Sequence, residues 1–507
     1  MTERRRISWR RLAAAFAGFA VIATTGCVPN GQQPDVDPTG GTTTVPRAFT
    51  VGTTDRITVT DPAAVTDPAS AVVVYNVFQR LMTAEPGGQG PKPDAAVDCR
   101  YDTERSVSCV LGTGLKFSNG HDLTSSDVKF SIERALRLDI PGSSASMLES
   151  LRRVETPDPL TVRFVLSRVD NQFMSALATP AAAIVDEELY DPDQVRPAGE
   201  SIVGSGPLQV SFFNDQQLQL ARNPLYQGRF GSAIDGIVLQ HYETSADLET
   251  AMKEREVDVV WRGLGTAAVT RLTRQAGVAA DHRTETGFTN IALTNARVRQ
   301  LWWNPTSRHR KDSAMRAVVA GALQEDRILD SLVPAGIPGT VASFPVGAGA
   351  KVSVTWQQRV QLSLAYDPSS PDAADQANQI RTRLEDTGGL SVRLVKATPA
   401  QQTDADLVLV DQKAWLSTAL AWLLPYLADP LQTTKVDAAT KVLRESDPGQ
   451  PTVAEATSEL QHLAATDLVG LPITQTDEMV FVASGWSFNP QALAPGWQLQ
   501  FSAFSPA

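Results

Sequence analysis

The sequence predicts an α/β fold, and three stretches carry that prediction. Residues 115–136 read as strand, turn and helix: Asn119-Gly120 turns the chain, Thr124 stands at an N-cap position, and Asp127 offers a carboxylate to the exposed N–H groups of the first turn. Val128, Ile132, Ala135 and Leu136 then recur at helical spacing, with Lys129, Glu133 and Arg134 on the rest of the surface. Residues 234–239, 246–255 and 256–261 form a second unit of strand, helix, strand, and 361–366, 377–384 and 390–395 a third. Strands alternating with helices build a helix-covered sheet.

The elements follow in order. Arg4, Arg5, Arg6, Arg10 and Arg11 precede an apolar run, 12–25, that is too short to span a bilayer permanently, so residues 1–26 are expected to be an export signal. The Arg-Arg pairs also permit the twin-arginine route beside the general secretory one. Residues 27–46 hold Pro, Gly, Thr, Asp and Gln and little that packs, as a flexible tether does; its r.m.s. span is about 25 Å. From 47 the chain turns globular, with a strand over 48–55 and an amphipathic helix through Val73, Val77, Phe78 and Leu81. Cys99 and Cys109 lie in two strand-like runs around the polar turn 102–105. A cross-strand pair centred on Glu104 sets them opposite each other, and export favours a disulfide over two buried thiols. A period-two strand is expected at 160–166, a helix at 171–178, a strand pair entered through Gly204-Ser-Gly-Pro, a helix over 311–329 and a strand at 406–410.

With 507 residues the chain has room for two or three domains, and 42% hydrophobic residues suffice for their cores. Removal of residues 1–26 takes away five Arg and one Glu and moves the net charge from −11 to −15, which disfavours nucleic acid as a partner. The chain has no G-x-S-x-G elbow, Walker A loop, H-E-x-x-H or zinc-spaced cysteine pair, and its five histidines are scattered. No catalytic residues, metal site or cofactor are therefore expected. Two facing carboxylates of a secreted glycosidase are not excluded by spacing alone.

The run Leu115-Lys-Phe-Ser-Asn-Gly-His-Asp-Leu-Thr-Ser-Ser-Asp-Val-Lys-Phe-Ser resembles the signature "gvkFsdGtplTaeDVkfSlera" of extracellular solute-binding proteins of the peptide/nickel class, the receptors of ABC importers. The opening 48–81, Gly204-Ser-Gly-Pro with Arg222-Asn-Pro-Leu-Tyr226, 256–261, Leu301-Trp-Trp-Asn304 and 311–329 resemble further family motifs, so the likeness covers about 48–490. It implies a two-lobed periplasmic-binding-protein-like fold of the large type II, three-domain class around a central cleft. Residues 47–75, 205–290 and 471–507 would form the core of lobe I, 76–204 its inserted subdomain and 291–470 lobe II, with chain crossings at 287–293 and 471–476 as hinges. Thr24-Thr-Gly-Cys27 resembles a lipobox with Thr24 in place of the usual Leu; Cys27 would then carry a lipid, the alternative being an ordinary signal with an incidental cysteine. The implied function is capture of a peptide or other small solute by a monomer anchored outside the cytoplasm, in the periplasmic space or cell envelope, and its delivery to permease and ATPase subunits. A non-transporting surface lipoprotein acting as a sensor, or a secreted hydrolase, are the alternatives.

Ligand contacts are expected from Asp67, Trp303, Asn304, Asp411 and Trp415. Peptide-binding members carry "GWgADYpDP" after the strand matching 406–410, with an Asp that pairs with the peptide's α-ammonium. Here the chain reads Asp411-Gln-Lys-Ala-Trp-Leu-Ser-Thr-Ala419, and Trp415 takes that place. Desolvating an unpaired ammonium costs several kcal/mol, whereas an indole face returns only about 0.5–2 kcal/mol. Unless Asp411 reaches the ammonium, the expected ligand has no free α-amine requirement, an aromatic, sugar-like or quaternary compound stacked on Trp415 being one such case.

Overall fold

The computed structural model describes residues 47–86, 90–229, 231–397, 403–446 and 449–507. The export signal, the tether and Cys27 lie outside these residues.

A ten-stranded sheet runs through the molecule in the order Leu390–Lys396, Val360–Tyr366, Leu407–Gln412, Phe288–Trp303, Gly470–Ala483, Val259–Trp261, Phe49–Thr53, Gly236–His241, Gln217–Arg222 and Leu208–Phe213. Phe49–Thr53 is parallel to both its neighbours, and Val360–Tyr366 is parallel to both of its own. Two long antiparallel strands at the centre, Phe288–Trp303 and Gly470–Ala483, join these two parallel groups. Their pairing is irregular twice, between Leu293 and Arg297 and again between Arg299 and Gln300, where Ile473 is skipped. The first is the wider. There Asn295 takes φ 57°, a conformation Asn tolerates better than most residues, and its N–H donates to Asp477 Oδ1 at 2.9 Å. The wider irregularity sits at 294–296 opposite Asp477, beside the stretches 287–293 and 471–476 expected to hinge, and the narrower one, at Ile473, falls inside the second of them.

A four-stranded antiparallel sheet, Ala96–Thr103, Ser106–Leu111, Thr161–Leu166 and Leu151–Asp158, stands apart from the large one. Cys99 and Cys109 are directly opposed in it and form a disulfide. The helix Ser125–Leu138 covers it, opened by a complete capping box in which Asp127 Oδ2 accepts from Thr124 N at 2.8 Å. At the C-terminus, Trp486–Phe488 pairs with Phe504–Pro506 and lies against the first strand, Phe49 standing 4.3 Å from Trp486 and 5.4 Å from Phe504.

Three local expectations change. The helix Pro68–Val77 is buried on every side after its first residue rather than amphipathic, because residues from 183–202 and from the C-terminal stretch 493–504 share its buried cluster. The helix expected over 311–329 ends at Ala322: Ile328 and Leu329 give their N–H groups to Ile473 O of the returning strand, a tertiary bond that overrides helical propensity. Only Phe173–Ala176 of 171–178 is helical, and Pro180 opens a separate turn. Helices Ala419–Leu427, Thr433–Glu445 and Pro451–Asp467, which the sequence reading left blank, pack on one another through the last of them, which also packs on Gly470–Ala483.

Candidate functional site

A cavity of about 800 Å³ opens where the parallel strands of both groups end. Asp55, Arg56 and Thr58 follow Phe49–Thr53, Glu243 follows Gly236–His241, and Arg262 follows Val259–Trp261. From the other group come Asp367 to Ser370 after Val360–Tyr366, and Lys413 with Trp415 after Leu407–Gln412. The carboxyl ends of parallel strands are where an α/β sheet leaves backbone and loops free to meet a ligand.

Of the residues singled out in the sequence, Asp67, Asp411 and Trp415 line this cavity. Trp303 and Asn304 do not. Trp303 is 3% exposed and packed in the core, and the Asn304 amide closes a local turn, donating to Thr403 O at 2.6 Å and accepting from Thr306. Phe288–Trp303 runs antiparallel to Leu407–Gln412, so its end pairs with Leu407, where that strand begins, and the loops carrying the cavity's charged groups follow the strand's other end.

Asp411 stands directly across from Arg299 in the sheet. Its carboxylate accepts from Arg299 Nε at 3.0 Å, from Arg297 Nη2 at 3.3 Å and from the Ser370 hydroxyl. Burial alone would raise its pKa, but Arg297, Arg299 and Arg262 outweigh that and hold it far below the ordinary carboxylate value. Next to it, Arg262 contacts Glu478 at 2.9 Å and Asp55 at 3.4 Å, and Lys413 contacts Glu478 at 3.2 Å. Burial opposes the charge on Arg262, yet these carboxylates raise its pKa on balance; burial prevails at Lys413, whose pKa is lowered despite Glu478. Glu478 is lowered because Arg262 and Lys413 overcome its burial, while Asp55 is raised because burial overcomes Arg262.

Two further carboxylates face the cavity. Asp67 is the N-cap of Pro68–Val77: Oδ1 accepts from Ser70 N at 2.9 Å, and burial raises its pKa despite that bond. Asp367 Oδ1 accepts from Ser369 N at 2.9 Å and Ser369 Oγ at 2.7 Å, and burial raises its pKa too.

The cavity also brings the two groups of strands into contact. Thr54 Oγ1 donates to Ser369 O at 2.9 Å. Asp372 Oδ2 accepts from Thr266 N at 2.9 Å and Thr266 Oγ1 at 2.7 Å, capping from across the cleft the helix Thr266–Val278, whose own N-cap Gly265 has no side chain to offer.

The sequence reading missed Arg262, Arg297, Arg299, Asp367, Lys413 and Glu478. One signal was present: Arg297-Val-Arg299 alternates within a strand and so puts two guanidinium groups on one face. Among the described residues there is no group of His, Cys, Asp and Glu that could hold a metal, and no helix is long and apolar enough to cross a membrane.

Comparison with known proteins places this geometry. A probable D,D-dipeptide-binding periplasmic protein of Escherichia coli K12 is 29% identical over 166 residues, 31% of this chain and 32% of that protein. The match thus spans about a third of the curated relative's length. Two solved structures share the fold over nearly their whole length. One is the binding protein AgaA of A. tumefaciens R10 with agropinic acid, with a TM-score of 0.76 at 16% identity, covering 91% of this chain and 99% of that one. The other is a dipeptide-binding protein of Pseudoalteromonas sp. SM9913 with Met-Leu, with a TM-score of 0.75 at 14% identity, covering 91% and 100%. Their two-lobed fold is the fold described above. The profile of the middle region of the bacterial extracellular solute-binding proteins, family 5, matches residues 91–377, more than half of the sequence, and the chain belongs to that family.

Proposed function

We propose that this chain is the extracytoplasmic receptor of an ABC importer, which captures a small solute in the cavity, closes on it and presents the closed form to a permease. The observation that carries the reading is the cavity itself, walled by strand ends from both halves of the sheet and bridged by Thr54–Ser369 and Thr266–Asp372. A solute touching both walls stabilises the closed form over the open one by those contacts alone, and closure is what a permease reads. In this reading 47–75, 205–290 and 471–507 with the insert 76–204 form one lobe, 291–470 the other, and Cys27 carries the lipid that holds the receptor at the membrane.

Relatives and neighbours are described as binding a D,D-dipeptide, Met-Leu or agropinic acid, so the scaffold accommodates peptides and other solutes. For this chain the loop 411–419 offers no free partner to a peptide ammonium: Asp411 is neutralised by two guanidinium groups and Trp415 is 7% exposed. A thermal-shift screen of the purified protein against peptides with free and acetylated N-termini, sugar acids and amines tests the reading. At least one solute should raise the melting temperature at micromolar concentration. Turnover of a peptide or glycoside by the protein, with no solute bound intact, would contradict it.

A further inference from the structure

Among the described residues, two carboxylates on the cavity wall, Asp67 and Asp367, make no ion pair within 4 Å, although the Arg262 charge acts on Asp367 as a contribution smaller than burial. Asp67 is 5% exposed and its Oδ2 is buried without a hydrogen-bond partner, Oδ1 alone being held by Ser70. Asp367 receives only Ser369, through its N–H and hydroxyl. Every cation that lines the cavity is engaged elsewhere: Arg262 with Asp55 and Glu478, Arg299 with Asp411, Lys413 with Glu478, and Arg56 with Glu243 at 2.6 Å. Arg297, behind the wall, is on Asp411 as well. The charge of Asp367 is felt at Asp67, as a contribution smaller than burial. Asp67 precedes a helix beside the first strand and Asp367 ends a strand of the opposite group, so the two reach the cavity from its two sides. A buried anion with an open acceptor is costly until a donor, best a charged one, reaches it.

We propose that the cavity takes a ligand bearing a protonated amine or guanidinium group, seated between Asp67 and Asp367 with an N–H on Asp67 Oδ2. The inference rests on the receptor reading and names the ligand class. It gives closure a cause: without ligand the closed form brings two like charges together, and the ligand's cation turns that repulsion into attraction from both sides. It also revises the expectation drawn from 411–419. That loop lacks an ammonium partner, but the cavity holds one elsewhere, so a positively charged nitrogen is wanted after all, at a different place.

Two measurements test it on the purified protein. The first needs no ligand: Asp67→Asn combined with Asp367→Asn removes the repulsion, so the unliganded double variant should give a smaller radius of gyration and a higher melting temperature than the wild type. The second uses matched probes, arginine against citrulline and Met-Leu against N-acetyl-Met-Leu, with calcium alone as a control. Binding should be confined to arginine or Met-Leu and weaken about 10- to 100-fold in either single variant, the loss of one charge-assisted hydrogen bond. A double variant indistinguishable from wild type in radius and melting temperature overturns the proposal. So does a probe without the cationic group, or calcium alone, that binds and is retained in the double variant. If citrulline or N-acetyl-Met-Leu is that probe and compacts the protein, the receptor reading stands without the charge clamp.

Discussion

Asp411→Asn should cost the protein about 3–5 kcal/mol, the range for removing one partner of a buried ion pair. The amide keeps the shape of the carboxylate and loses its charge, leaving Arg297 and Arg299, whose side chains are 17% and 9% exposed, without the anion that justifies their burial. It also puts an N–H where a guanidinium or the Ser370 hydroxyl now donates. The sign of the pH dependence follows from the lowered pKa of Asp411. A carboxylate whose folded value lies below its unfolded value of 3.8 contributes stability that is fully present above the unfolded value and is lost as the pH falls through the folded one. The gap between wild type and variant should accordingly be flat between about pH 5 and 8 and shrink only in strong acid. Asp67→Asn, in the same cavity, should move the other way. Its folded pKa is raised, so its protonated form favours folding below the unfolded value, and that advantage disappears as the pH rises through the folded value. At neutral pH the charge is a cost, and Asn removes it while remaining a good N-cap. Urea unfolding followed by tryptophan fluorescence reads both. An Asp411→Asn variant within about 0.5 kcal/mol of wild type, or an Asp67→Asn variant destabilised as much as Asp411→Asn, would refute this assignment of charges.

Asp372→Gly suits the φ of 59° at that position and removes the carboxylate that caps Thr266 from across the cleft, so the solute-saturated protein should be less compact than the saturated wild type in small-angle scattering, and an equal radius would show that the contact does not hold the closed halves together. Replacing Cys99 and Cys109 by Ala opens a bridge between residues 10 apart and should cost about 2–3 kcal/mol in urea unfolding; equal stability of the oxidised wild type and the variant would count against a stabilising role. Cys27→Ala should move the protein from the membrane fraction to the medium, and retention in the membrane would point to an uncleaved signal as the anchor.

The fold was legible because its punctuation is local. Thr124 and Asp127 form the capping box their spacing predicts, and Cys99 faces Cys109 because a turn at 102–105 leaves little choice of register. The 419–467 helices were not read because Ala419–Leu427 is apolar nearly all round and carries Pro425, which blurs its period. The site was legible only in part, and strand direction explains which part. Asp411 and Trp415 lie at and after the carboxyl end of Leu407–Gln412, whereas Trp303 and Asn304 lie where the antiparallel Phe288–Trp303 pairs with that strand's beginning, and an isolated motif does not say which way its strand runs. The network Asp55–Arg262–Glu478–Lys413 joins four segments separated by up to several hundred residues, so no spacing rule could assemble it. Asp67 Oδ2 is distinguished only by what surrounds it, because an N-cap aspartate before a proline looks the same in sequence whether or not its second oxygen is paired.

The central claim is that this chain closes around a solute held by both halves of its sheet, and small-angle scattering with and without the tightest-binding solute from the thermal-shift screen tests it most directly. The account predicts a saturable fall in the radius of gyration that tracks the binding isotherm and is abolished when Asp67 and Asp367 are both Asn, since that variant is compact beforehand. A solute that binds tightly while the wild-type radius stays the same would contradict it.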